Sequence, residues 1–189
     1  DHVTSRVRDL IAGTHDRMKQ IVENHDPIAV KEGDRGECRR WEGDGREGSW
    51  QLTICKSASV QGAYAFSFRG RELGSSDDYQ LVAAGRGTPK PRQSGRKRGA
   101  GIIGYNLDNY AAVTGESDYK GKLAVGYRAV REYRHVLIGL SNVETPNTSP
   151  PLREVYQYKR LRGVGGFFRF MTHADFLKAD GMDGFELGQ

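Results

Sequence analysis

The sequence predicts a mostly β domain: an N-terminal amphipathic helix packed on a strongly curled antiparallel sheet, or a barrel or half-barrel, of about eight strands. Three observations carry that expectation. The run KGKLAVGYRAVREYRHVLIGL, residues 120–140, alternates with period two: Leu123, Val125, Tyr127 and Ala129 share one side, then Val136, Ile138 and Leu140 oppose Tyr133, His135, Leu137 and Gly139. Short segments of the same kind recur at regular spacing, bounded by Gly, Asp, Ser, Asn or Pro. Finally, glycines such as Gly101, Gly104, Gly126 and Gly166 interrupt apolar alternation inside those segments. Glycine there permits bulges and sharp bends, which a curled sheet needs and a flat one does not.

Residues 3–22 hold the one convincing helical period, with Val3, Val7, Leu10, Ile11, Met18, Ile21 and Val22 near one face. Thr4 or Ser5 would cap its start, and Asn24 with Pro27 would end it. Gly13, His15 and mixed charge dilute the apolar stripe, so a helix on the sheet is expected and not a membrane-surface helix. From Gly36 onward the candidate strands are 37–42, 49–56, 62–70, 78–85, 99–107, 119–129, 132–141, 153–162 and 165–172. No long helical pattern separates them, which excludes parallel βαβ units. Residues 1–26 and 36–172 therefore read as one domain, followed by an irregular C-terminal segment, 173–189.

Composition sets limits on function. The chain has 189 residues, enough for one domain with a real core, and two Trp, nine Tyr and seven Phe to fill it. A net charge of +5 favours solubility and attraction to anionic surfaces, and is low for a dedicated nucleic-acid binder of this length. No segment approaches the ~20 consecutive apolar residues of a membrane-spanning helix. The first residue is Asp1 and not Met, which is expected of a processing site or a chain boundary.

Cys38 and Cys55 are the only cysteines, and each lies in a candidate strand with the turn-like Glu42–Gly48 between them. A hairpin there lets them face each other, so a disulfide is expected, and with it a periplasmic, outer-membrane-associated or secreted location. Two buried thiols are the alternative. A zinc site would need a neighbouring His that the stretch lacks. Trp41 and Trp50 flank the hairpin and are expected to pack on one another or to close one end of the sheet.

Few residues suggest reaction chemistry. His173 and Asp175, in THAD, could share a face just after a strand, with the carboxylate orienting the imidazole as a base. Asp180, Asp183 and Glu186 lie close together with two glycines, an oxygen-rich pattern that could hold calcium but does not match an EF-hand loop. No GxSxG, P-loop, dinucleotide fingerprint or HExxH is present. The expectation is a binding protein without cofactor or metal, and a hydrolase using His173 and Asp175 is the enzymatic alternative.

The stretch 86–98, RGTPKPRQSGRKR, carries Arg86, Lys90, Arg92, Arg96, Lys97 and Arg98 with no acid. Pro89 and Pro91 are expected to keep it out of the sheet, as a solvated loop able to meet an anionic membrane, a glycan or a partner's acidic surface. Nucleic acid is not the expected partner, because the aromatics lie in the strands and are not interleaved with the cations. Residues 144–152, ETPNTSPPL, read as a long exposed connection.

The N-terminal helix, the WEGDGREGSWQLTIC hairpin and strands of the form GAYAFSFRGRE and KGKLAVGYR together resemble predicted envelope lipoproteins of deltaproteobacterial type. The architecture also loosely resembles the lipoprotein carriers LolA and LolB and lipocalin-like barrels. The resemblance spans about residues 1–172, is one of pattern, and transfers no functional residue. With a curled sheet, an expected disulfide and no catalytic motif, the expectation is an envelope protein that binds a hydrophobic or amphiphilic ligand or an envelope partner; a self-assembling surface protein, a homo-oligomer, is the alternative, since edge strands and a long exposed loop can recruit neighbours. Tyr64, Phe66, Leu123, Val125 and Tyr127 would line the ligand cavity.

Overall fold

In the computed structural model, residues 13–14, 16–31, 37–46, 48–90, 98–115, 118–129, 133–144, 146, 151–177 and 182–188 are described. They form one antiparallel sheet of eleven strands in sequence order. The strands are β1 (Ile28–Lys31), β2 (Glu37–Asp44), β3 (Ser49–Lys56), β4 (Tyr64–Arg71), β5 (Gln80–Lys90), β6 (Arg98–Asn106), β7 (Lys120–Ala129), β8 (Tyr133–Glu144), β9 (Leu152–Leu161), β10 (Gly165–Leu177) and β11 (Met182–Gly188). Each strand pairs with the next, and the described residues form no ladder between β1 and β11. The sheet is therefore open, and the closed-barrel alternative does not hold.

Helix α1, of which residues 13–14 and 16–24 are described as helical, lies on one face of this sheet. Met18 and Ile21 join Trp41, Trp50, Leu52, Phe66 and Ile103 in the main core. The helix crosses the sheet obliquely. Thr14 and Tyr105 of β6 share a 2.8 Å hydroxyl hydrogen bond, while Trp41 Nε1 of β2 donates to the His25 carbonyl at 3.1 Å. The helix ends near Asn24, whose side chain donates to the Gln20 carbonyl, three residues ahead of Pro27. Thr4 and Ser5, the expected caps, lie outside the described residues.

Nine strands stand where alternation predicts them; three elements were not anticipated. β1 is four residues long, and β11 pairs with β10 from Phe170↔Gly188 to Leu177↔Met182. The stretch expected to be irregular, 173–189, thus holds the end of β10 and the whole of a further strand. The third is α2 (Leu107–Thr114), between β6 and β7. Asn106 caps it by accepting from the Asn109 N–H, and Gly115 ends it at φ 76°, a left-handed conformation that suits glycine.

The basic stretch also enters the sheet further than its prolines suggested. Pro89 pairs with Gly99 and Lys90 with Arg98; residues 91–97 are not described. The reason lies in the register. The last β4–β5 pair is Tyr64↔Gly87, so β5 has no β4 partner at Pro89, and a proline is tolerated where one side of a strand is open.

Candidate functional site

Cross-strand partners share a face of the sheet, so the register shows what each face carries. One row on the α1 face runs Ile54, Phe66, Gly85, Ile103, Val125, Ile138, Tyr156 and Phe170, from β3 to β10. The adjacent row runs Tyr64, Gly87, Gly101, Tyr127, Val136, Tyr158 and Phe168. All five residues expected to line a cavity, Tyr64, Phe66, Leu123, Val125 and Tyr127, lie on this face. Leu52 and Val125 are fully buried in it.

The glycines of β5 and β6 are the floor on which neighbouring aromatic rings lie. A methyl group on Gly85 would sit 2.6 Å from Phe66 Cε1, one on Gly87 3.3 Å from the Tyr64 ring, and one on Gly101 2.8 Å from the Tyr127 ring. Only glycine lets rings approach the backbone this closely. Burial raises the Tyr127 hydroxyl above its ordinary value, and the nearby Tyr64 hydroxyl adds to the effect. Tyr105 is likewise raised by burial, and its bond to Thr14 opposes the shift in part.

The face divides into two apolar clusters. α1 belongs to the one on β2–β4 and β6. The other, on β7–β9, has Val125 and Ile138 buried, with Leu123, Val136, Leu140 and Tyr156 packed around them and no residue of α1 among its members. Beyond it the rings of Tyr156, Phe168 and Phe170 follow one another at centroid distances of 6.0 and 6.4 Å, and Phe168 is 45 % exposed. Among the described residues, this β7–β10 half is an aromatic strip that the helix does not cover.

Polarity changes along the strip. On β9, Glu154, Tyr156, Tyr158 and Arg160 share the face, six positions from acid to base, or roughly 20 Å. The Tyr156 hydroxyl donates to Glu154; burial first, and this bond second, push Tyr156 well above the usual phenol range. At the other end Arg134 of β8 stands directly opposite Arg160, both exposed. Like charges facing each other across a ladder disfavour pairing, and an anion between them would relieve this. The arrangement can therefore hold a molecule with an apolar body over Tyr158 and Phe168 and an anionic group at Arg134 and Arg160.

The other expected sites fall as follows. Cys38 and Cys55 are register partners and form a disulfide, with Cα atoms 4.0 Å apart. Trp41 and Trp50 are both buried in the main core; Trp50 lies across Gly43 and meets His25 edge-on at 5.1 Å. His135 is half-buried on the face opposite α1, where its Nε2 meets Gln157 at 2.9 Å. His173 and Asp175 stand inside β10 and not after a strand, with His173 opposite Phe185. Asp183 and Glu186 stand in strand β11 where a bent loop was expected, and Asp180 lies outside the described residues. Among the described residues no three His, Cys, Asp or Glu gather as metal ligands. In the basic stretch Arg86 is exposed on β5, Lys90 and Arg98 end the β5–β6 ladder, and Arg92, Arg96 and Lys97 lie outside the described residues.

Sequence reasoning missed Tyr156, Tyr158, Phe168, Phe170, Arg134 and Arg160 as a group. The signal was there in part: LREVYQYKRL and GGFFRF each alternate, but only the register puts them side by side. No protein-family model, no curated protein and no solved structure matches the chain. Among the described residues no helix is long and apolar enough to cross a membrane.

Proposed function

We propose that the chain is a non-enzymatic cell-envelope protein that binds an amphiphilic ligand on the α1 face of a curled sheet. The single observation that carries this reading is the aromatic strip on β7–β10, which no described residue of α1 joins, beside a half that α1 packs on. An apolar surface of this kind is retained where something occupies it. Arg134 and Arg160 would take the ligand's anionic group. The Cys38–Cys55 disulfide fits an oxidising compartment, periplasmic, outer-membrane-associated or secreted, as does the resemblance to envelope lipoproteins.

The curl is part of the proposal, and α2 supports it. Asp108 at its start accepts from the Gly121 N–H of β7 at 2.9 Å, while Val113 lies 3.0 Å from where a Gly48 methyl group would be, just ahead of β3. Five helical residues rise about 7.5 Å. A flat sheet would set β3 and β7 about 19 Å apart. Bending the sheet brings both to one short helix. The ladder breaks at Phe68/Arg69, Lys120/Lys122 and Leu140/Val143 add the bulges that bending uses.

The test is titration of the purified chain with a fluorescent long-chain fatty acid. Phe168→Ala is expected to weaken binding about tenfold, because an aromatic side chain contributes about 1.5–3 kcal/mol on burial. Unchanged affinity in Phe168→Ala and Tyr158→Ala would remove the strip from the account. Self-assembly is favoured by a different observation, the open ends of the sheet at β1, where Ile28 is exposed, and at β11. It predicts oligomers that persist without any ligand.

A further inference from the structure

The face opposite α1 has a composition of its own. Where β5 to β10 lie side by side, two adjacent rows can be read off the register. One holds Arg86, Ile102, Gly126, Leu137, Gln157 and Arg169; the next holds Thr88, Ala100, Arg128, His135, Lys159 and Phe167. Four cations stand at these twelve described positions, and none of the twelve is a carboxylate. Three large apolar side chains are interleaved with them and remain exposed: Ile102 at 45 %, Leu137 at 42 % and Phe167 at 40 %. Arg169 and Lys159 gather round the Phe167 ring at 5.2 and 6.0 Å. The β5–β6 ladder ends at this same end in the pair Lys90 and Arg98.

We propose that this patch docks the protein on an anionic lipid surface. Charge complementarity picks the class of occupant: an excess of cations among the described residues of this face favours phosphate-rich surfaces. The apolar residues pick the lipid among anionic surfaces. Ile102 and Leu137 have nothing to gain from a nucleic-acid backbone or an acidic glycan, whereas aliphatic and aromatic side chains set among cations enter the boundary between headgroups and acyl chains. The small residues of the patch, Ala100 and Gly126, leave it without a ridge that would hold the larger side chains off a planar surface. The inference uses the opposite face from the amphiphile strip and stands or falls without it.

The experiment is co-sedimentation of the full chain with vesicles of phosphatidylcholine alone and of phosphatidylcholine with phosphatidylglycerol, at low and moderate salt. Binding to the anionic vesicles is expected, with little to the neutral ones, and it should weaken as salt rises. Arg86→Gln with Arg169→Gln should weaken it roughly 30-fold, about fivefold for each cation removed near the surface. Arg86→Lys with Arg169→Lys should retain it, and so should Phe168→Ala on the other face. Leu137→Ser should lower affinity at every salt concentration and leave the salt dependence unchanged. Equal binding to neutral vesicles would overturn the proposal. So would loss of binding in Arg96→Ser, Lys97→Ser, Arg98→Ser with no loss in the Arg86, Arg169 pair, which would move the contact to the loop. Displacement by short duplex DNA at a lower charge concentration than phosphatidylglycerol would overturn it in favour of a polyanion.

Discussion

Gly85 is hemmed in by both neighbouring strands. Its α1-facing side is occupied by the Phe66 ring, and a methyl group there would also stand 2.7 Å from the Ile102 carbonyl oxygen. Backbone cannot yield as a flexible side chain can, so Gly85→Ala should destabilise the fold by about 1–3 kcal/mol. Gly139, with nothing within 4 Å of an added methyl group, is the contrast. Gly139→Ala should be neutral or stabilising by up to about 1 kcal/mol, since glycine in a strand is the more costly residue. Chemical denaturation of the two variants measures the difference directly. For the disulfide, the closed loop spans a separation of 17 residues, and Cys38→Ala with Cys55→Ala should lose about 3 kcal/mol. Tyrosines give the pH dependence. Tyr105 and Tyr127 are raised above 10.0 by burial, so the fold favours their neutral forms. Their contribution is fully present below pH 10, the unfolded value, and is lost as pH rises through the raised folded values. Unfolding followed by tyrosinate absorbance should set in above pH 10, with a shallower slope in Tyr127→Phe.

At the scale of elements, strands were legible where alternation was long and bounded by turn residues. The run through β7 and β8 is the plainest case: Leu123, Val125 and Tyr127 meet Leu140, Ile138 and Val136 as their alternation requires. What failed to show had a physical cause in each instance. β1 offers four residues, too few for a period to declare itself. α2 buries no residue completely, so its stripe is faint, although Asn106 and Gly115 mark its two ends. In β10, the pattern of GGFFRF continues through THAD, where His173 and Asp175 read as punctuation and are in fact strand. The candidate site was half legible. Tyr64, Phe66, Leu123, Val125 and Tyr127 were grouped from alternation alone, whereas Arg134 and Arg160 come together only through the β8–β9 register, which no local pattern encodes. Arg160→Glu, placing opposite charges across that ladder, should stabilise the β8–β9 pair by about 0.2–1 kcal/mol and weaken binding of an anionic amphiphile. Thermal denaturation and ligand titration of this one variant separate the two effects.

The whole molecule is a single open sheet with two unlike faces. One is apolar from β2 to β10, and the described residues of α1 pack on its first part. The other carries small residues along its middle, Ser67, Ala84, Gly104, Ala124 and Gly139, and cations toward the β5–β6 hairpin end. The division explains how a chain with low overall apolarity still builds two cores, and why its net charge of +5 has a direction. It also sets the order of events in the proposed function: the basic face meets the anionic surface, and the aromatic strip on the far side receives the ligand. Native mass spectrometry of the full chain, mixed with a lysophospholipid and then freed of excess ligand, tests the central claim most directly. The account predicts a monomer carrying one bound amphiphile, which is lost in Phe168→Asp while the protein remains folded. A monomer at the bare chain mass under the same conditions, or retention of the amphiphile in Phe168→Asp, would contradict it.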